Sequence, residues 1–169
     1  MRVPQHDSLR DITGLVGRVA LVSGAQGGMG KAITALLVAA GAVVVAGDVA
    51  SSSPGAEHVD QILPIELDVT KPAAWGAAVT WAEQTAGPIS ILVNCAGHFE
   101  IGPLIDADLA QMERAIQVNQ IGPALGIQAV VPSMRKAGGG AIVNIASNAA
   151  IAALLAWRPI APRNGRCGD

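Results

Sequence analysis

The sequence predicts an α/β fold built on a doubly wound parallel sheet, and three observations carry that expectation. Short β-branched runs alternate with stretches of helical composition through most of the 169 residues. The strand runs are nearly continuously apolar, as strands covered on both faces must be. Between the first run and the first helix lies a glycine-rich turn, "GAQGGMG", Gly24 to Gly30.

Taken in order, "RVALVSG" (Arg18 to Gly24) reads as the first strand, and Lys31 to Ala40 as the helix after the turn. Gly41 stops that helix, because glycine readily takes the left-handed conformation that closes a last turn. "AVVVAGD" (Ala42 to Asp48) is the second strand and "QILPIELDV" (Gln61 to Val69) the third. Lys71 to Gly87 carries proline in its first turn and glycine at its end, a helix signature. "ISILVNCAG" (Ile89 to Gly97) is a fourth strand running into a loop, Asp108 to Gly140 a long helix with a soft middle, and "AIVNIAS" (Ala141 to Ser147) the fifth strand. The stretch from Leu154 to Asp169 has the period of neither element.

A hydrophobic fraction of 51% with 14% charged residues excludes a disordered chain and fits one folded domain. Net charge of -2 and 2% aromatic residues leave no basic face or stacking platform for nucleic acid. Cys95 and Cys167 make neither a disulfide framework nor a metal cluster, and the polar first segment is no secretory signal, so a cytoplasmic location is expected. The charge-free stretches 32–47 and 141–157 are interrupted by Gly41 and by Asn144, Ser147 and Asn148, which argues against a membrane span.

The glycine turn is not a P-loop: Ala25 stands where that pattern needs glycine, and Ala32 follows Lys31 where it needs a hydroxyl. What remains is Gly24, Gly28 and Gly30 between a strand and a helix, where bare backbone can approach a pyrophosphate and the helix end can hold its charge. Asp48 ends the second strand, 18 residues beyond Gly30, where a carboxylate accepts hydrogen bonds from an adenosine ribose. The same carboxylate repels a 2'-phosphate, and Gly27 supplies no cation to attract one, so NAD is expected over NADP.

In these features the chain resembles the short-chain dehydrogenase/reductase family, from about Gly14 to about Ala150. "SGAQGGMG" is similar to the family's cofactor loop, which implies cofactor contacts at Gly24, Gln26, Gly28, Met29 and Gly30, with Asp48 at the ribose. Asp68 and Val69 of "LDV" match the pair that contacts adenine, and "NCAG" matches the family's N-N-A-G, bringing in Asn94, Ala96 and Gly97. Asn119 of "VNQIG" and Ser147 of "IVNIAS" match the catalytic asparagine and serine. The resemblance implies a Rossmann-type sheet in the order 3-2-1-4-5, cut short after the fifth strand, with residues 1–153 as an incomplete NAD-binding domain. It also implies hydride transfer between NAD and an alcohol or ketone, and a homo-oligomer whose association is impaired here. Cys95 reads as a small buried hydrophobe and His98 as an ordinary loop histidine.

In the family a tyrosine moves the substrate's proton and a lysine four residues later lowers its pKa. This chain contains no tyrosine, and its lysines, Lys31, Lys71 and Lys136, all precede Ser147. Out-of-frame translation accounts for the tail. With each triplet opened at the third base of a printed codon, the positions from Leu155 to Asp169 can encode P-G-M-A-A-Y-C-A-S-K-W-A-V-R-G. The tyrosine then falls over Ile160, thirteen residues after Ser147, and the lysine over Asn164. A single-nucleotide insertion or deletion near Leu154 or Leu155 is the expectation; the rival is a natural tail with Arg158, Arg163 and Arg166 as a small basic patch. Two classes stay open: an oxidoreductase, inactive as printed, or a non-catalytic NAD-binding remnant.

Overall fold

The computed structural model describes residues 14–50, 61–99 and 108–147, so the expected boundary at 153 and the tail from Leu154 lie outside the described residues. Within them the elements run β1 (Val19–Ser23), α1 (Gly28–Ala39), β2 (Val43–Asp48), β3 (Ile62–Glu66), α2 (Pro72–Thr85), β4 (Ile89–Asn94), α3 (Leu109–Ile116), a π turn (Gln117–Ile121), α4 (Gly122–Lys136) and β5 (Ala141–Asn144). The five strands are parallel, as their apolar runs predict, and ordered β3-β2-β1-β4-β5, as the family resemblance implies.

Strand alternation sends the apolar residues to two layers. Leu21, Val45, Leu63, Ile65 and Leu92 pack on one face beneath Trp75, Ala78 and Ala82 of α2 and Val130 and Met134 of α4. Ala20, Val22, Val44, Ala46, Ile91 and Val93 face the other way, with Ile33 and Leu37 of α1 against them. Each fully buried Leu or Val in these layers contributes roughly 1.5–3 kcal/mol. Pro64 interrupts β3 without breaking the sheet because β3 is its outer strand, where a missing N–H costs no ladder partner on the open side.

At the opposite edge, Val143 and Ile145 are 47% and 37% exposed. Helix α3 starts on Asp108, whose Oδ1 accepts the Ala110 N–H at 3.0 Å, and it leaves Leu109, Met112 and Ile116 in solvent. Among the described residues no helix is long and apolar enough to cross a membrane.

Candidate functional site

Because every strand is parallel, Ser23, Asp48, Asn94 and Asn144 all finish at the same carboxyl edge. The strand order reverses between β1 and β4, and ligands of open α/β sheets bind in the crevice at such a reversal. Gly24 turns the chain there with φ +68°, and a Cβ on it would lie 2.6 Å from Ala96 Cα, so glycine lets the two loops touch. Ser23 fastens them: its Oγ accepts the N–H groups of Cys95 and Ala96 at 3.2 and 3.3 Å.

The expected helix begins three residues early, since Gly28, Met29 and Gly30 are its first turn rather than loop. No side chain caps that end, which presents its first N–H groups to the edge. A Cβ on Gly30 would sit 2.1 Å from the Gly24 carbonyl oxygen, whereas one on Gly28 would meet nothing within 4 Å. Gln26, Gly28 and Met29 are exposed beside it.

Asp48 leans onto this loop. Its Oδ2 accepts the Gln26 N–H at 2.9 Å and its Oδ1 the Ala50 N–H at 3.2 Å, and a carboxylate has lone pairs left for ribose hydroxyls. Asp68, just past β3, takes the Thr70 hydroxyl at 2.7 Å and the Thr70 N–H at 2.9 Å. The hydroxyl bond, opposed by partial burial and aided by that N–H, Lys71 and Arg114, holds the Asp68 carboxyl below its ordinary range. Val69 beside it is buried.

Asn94 is buried at the end of β4, where its Nδ2 donates to Asn144 Oδ1 at 2.8 Å and its Oδ1 has no hydrogen-bond partner. Gly126 of α4 lies over that oxygen; a Cβ there would come within 2.9 Å. Asn119 stands in the π turn, the soft middle of the long predicted helix, and such turns recur at functional sites. Its side chain and the His98 backbone bond reciprocally, each at 2.8 Å, which fixes the loop holding Ala96 and Gly97 against the helix. His98 Nε2 in turn lies 3.2 Å from Gln111 Oε1. Ser147 is exposed, three residues past the end of β5. Cys95 is half-buried rather than buried, and that partial burial pushes its thiol pKa up.

The structure therefore gathers the glycine loop, Asp48 and the Asn94–Gly97 segment at one crevice and ties Asn119 to it. Ser23, Thr70, Asn144 and Gln111 join them through bonds that no sequence period announces. Among the described residues no cluster of His, Cys, Asp and Glu could hold a metal ion.

A parallel sheet with an uncapped glycine turn at its topological switch defines an α/β nucleotide-binding protein. The comparisons narrow this class: a family model described as "short chain dehydrogenase" matches residues 18–159, and the chain belongs to that family. It is 43% identical over 145 residues to a 3-alpha-(or 20-beta)-hydroxysteroid dehydrogenase of Mycobacterium bovis, covering 84% of this chain and 56% of that protein. It is 40% identical over 146 residues to a trans-4-hydroxycyclohexanecarboxylate dehydrogenase of Sinomonas cyclohexanicum, covering 79% of this chain and 56% of that one. Among solved structures, a short-chain dehydrogenase/reductase from Serratia marcescens superposes with TM-score 0.68 at 31% identity, over 80% of this chain and 60% of that one. The chain thus spans a little over half the length of the relatives it matches. Members of the family are oxidoreductases that use NAD(P).

Proposed function

We propose that this chain carries the cofactor site of an NAD-dependent oxidoreductase acting on an alcohol or ketone. The observation that carries the reading is the Gly24–Gly30 turn at the β1–β4 switch with the Asp48 carboxylate bonded back onto it at Gln26. NAD, when bound, supplies the hydride acceptor, and the protein's part is to orient it and manage the proton. Gly24, Gln26, Gly28, Met29 and Gly30 would hold the pyrophosphate on bare backbone and the α1 dipole. Asp48 would accept the adenosine ribose hydroxyls, Asp68 and Val69 the adenine, and Asn94, Ala96 and Gly97 would line the nicotinamide side. Ser147 would bond the substrate oxygen, and Asn119 would help place a water in the proton relay. The relatives are named for a hydroxysteroid and a hydroxycyclohexanecarboxylate, which favours a secondary alcohol on or beside a carbocycle as substrate. The exposed Leu109, Met112 and Ile116 suit a homo-oligomer of the family's kind, with association impaired in this chain, and the cytoplasm remains the proposed location.

Titration tests the cofactor assignment. NADH should bind roughly tenfold or more tightly than NADPH, about 1.4 kcal/mol, because Asp48 faces the added phosphate. Asp48→Ala should close most of that gap. Equal affinities in the parent chain would contradict the assignment.

A second reading, a non-catalytic nucleotide binder, is favoured by the absence of tyrosine from all 169 residues. We attribute that absence to a frameshift near Leu154; the family match ends at Pro159, one residue before the position where the shifted frame places tyrosine. Sequencing the coding DNA across Leu154 decides the point, and an intact frame with no downstream Y-x-x-x-K reading would remove it.

A further inference from the structure

We propose that Trp75 and Thr70 are positioning residues that preset the Asp68–Val69 pair for reading the adenine base, an inference that rests on the cofactor assignment above. The pair leaves β3 as a short irregular stretch, flanked by two backbone bonds, the Leu67 N–H on the Asp48 carbonyl and the Lys71 N–H on the Asp68 carbonyl, each at 3.0 Å. Two side chains add to this hold. The Trp75 indole N–H donates to the Val69 carbonyl at 3.0 Å, and Trp75 is only 1% exposed. The Thr70 hydroxyl and N–H both fall on Asp68 Oδ1, so the second carboxylate oxygen is not consumed by them.

Helix α4 is shaped to receive this arrangement. A Cβ on Gly126 would come within 2.7 Å of the Trp75 ring, and one on Gly122, a turn earlier, within 3.1 Å of the Val69 side chain. Glycine at both positions lets the ring and the valine lie directly on the helix. The ring is therefore wedged between helix and chain with its one donor aimed at the carbonyl of the adenine pair. Removing that donor leaves a buried carbonyl without its partner and frees the pair to sample other conformations, of which only a fraction bind.

The test uses the full chain and two dinucleotides, NADH and its deamino form, in which the 6-amino group of the base becomes a carbonyl. An ionised Asp68 accepts from the amino group and opposes the carbonyl oxygen, so the parent should prefer NADH. Trp75→Phe keeps an aromatic side chain but loses the donor and the indole atoms that lie on Gly126; Thr70→Val keeps the shape and loses the hydroxyl. Each should weaken NADH about tenfold and collapse its preference over deamino-NADH toward unity. A purely structural loss would weaken both ligands alike and leave the ratio at the parent value. An unchanged ratio in both variants overturns the proposal while the cofactor assignment stands. A parent that binds NADH without preferring it overturns the adenine role of Asp68 and the proposal with it, and a parent that does not bind NADH overturns the cofactor assignment itself.

Discussion

On the frameshift proposed above, restoring the frame from Leu155 onward, with its downstream coding sequence, should raise NAD-dependent oxidation of a secondary alcohol by about 10²- to 10⁴-fold over this chain. Asn119 and Ser147 are both present, but no tyrosine exists to take the proton as hydride leaves. Positioned acid–base catalysis supplies that range by itself, and the lysine that the frame also restores would add nicotinamide ribose placement. The printed chain should still bind NADH, because the glycine loop and Asp48 sit in the first two strand–helix units, far upstream in sequence of Leu154. In the restored protein, replacing the new tyrosine by phenylalanine should abolish turnover and leave NADH binding largely unchanged. Steady-state rates of the printed and restored chains decide it; equal rates would mean that another residue moves the proton.

Much of the fold was legible because parallel strands covered on both faces leave a plain mark. Val19–Ser23, Val43–Asp48 and Ile89–Asn94 are almost wholly buried, so their sequences are nearly continuous apolar runs closed by small or polar residues. The start of α1 was not legible. Glycine is a poor helix former, and Gly28 and Gly30 read as loop although they are the helix's first turn. The long helix from Asp108 was expected whole with a soft middle; the structure resolves that middle into a π turn bearing Asn119.

In the site, residues recognised by order along the chain were placed at one edge by the sheet topology. Their supports were missed for a physical reason. Ser23, Thr70 and Trp75 act through one or two bonds each to backbone or a neighbouring carboxylate, and such bonds impose no repeat on the sequence. Trp75 reads from sequence as one more apolar helix residue; only its donor aimed at Val69 distinguishes it. The His98–Asn119 pair spans 21 positions and depends on a backbone carbonyl and N–H, which residue identity does not reveal.

Gly28→Ala and Gly30→Ala should separate the ligand's need for glycine from the fold's. At Gly30 the added methyl would lie 2.1 Å from the Gly24 carbonyl oxygen and 2.8 Å from Ala25 Cα. Both are backbone atoms, so the turn itself must move. Overpacking of this kind costs typically about 1–3 kcal/mol, and at roughly 2–4 °C per kcal/mol for a domain of this size Tm should fall by several degrees. NADH binding should fall with it, because the displaced turn also sets the α1 N–H groups. At Gly28 the methyl meets no protein atom within 4 Å and the backbone carries no positive φ. Alanine there restricts the unfolded chain more than the folded one, so stability should hold or rise by about 0.4–1 kcal/mol. The same methyl occupies the open space over the helix N-terminus where a pyrophosphate must come close to bare backbone. NADH affinity should therefore drop by about 100-fold or more, near 2.7 kcal/mol, in a protein whose Tm is no lower than the parent's. Paired melting curves and NADH titrations of the two variants read both effects. Parent-like affinity in a stable Gly28→Ala chain would place the pyrophosphate away from this turn and remove the main support for the cofactor site.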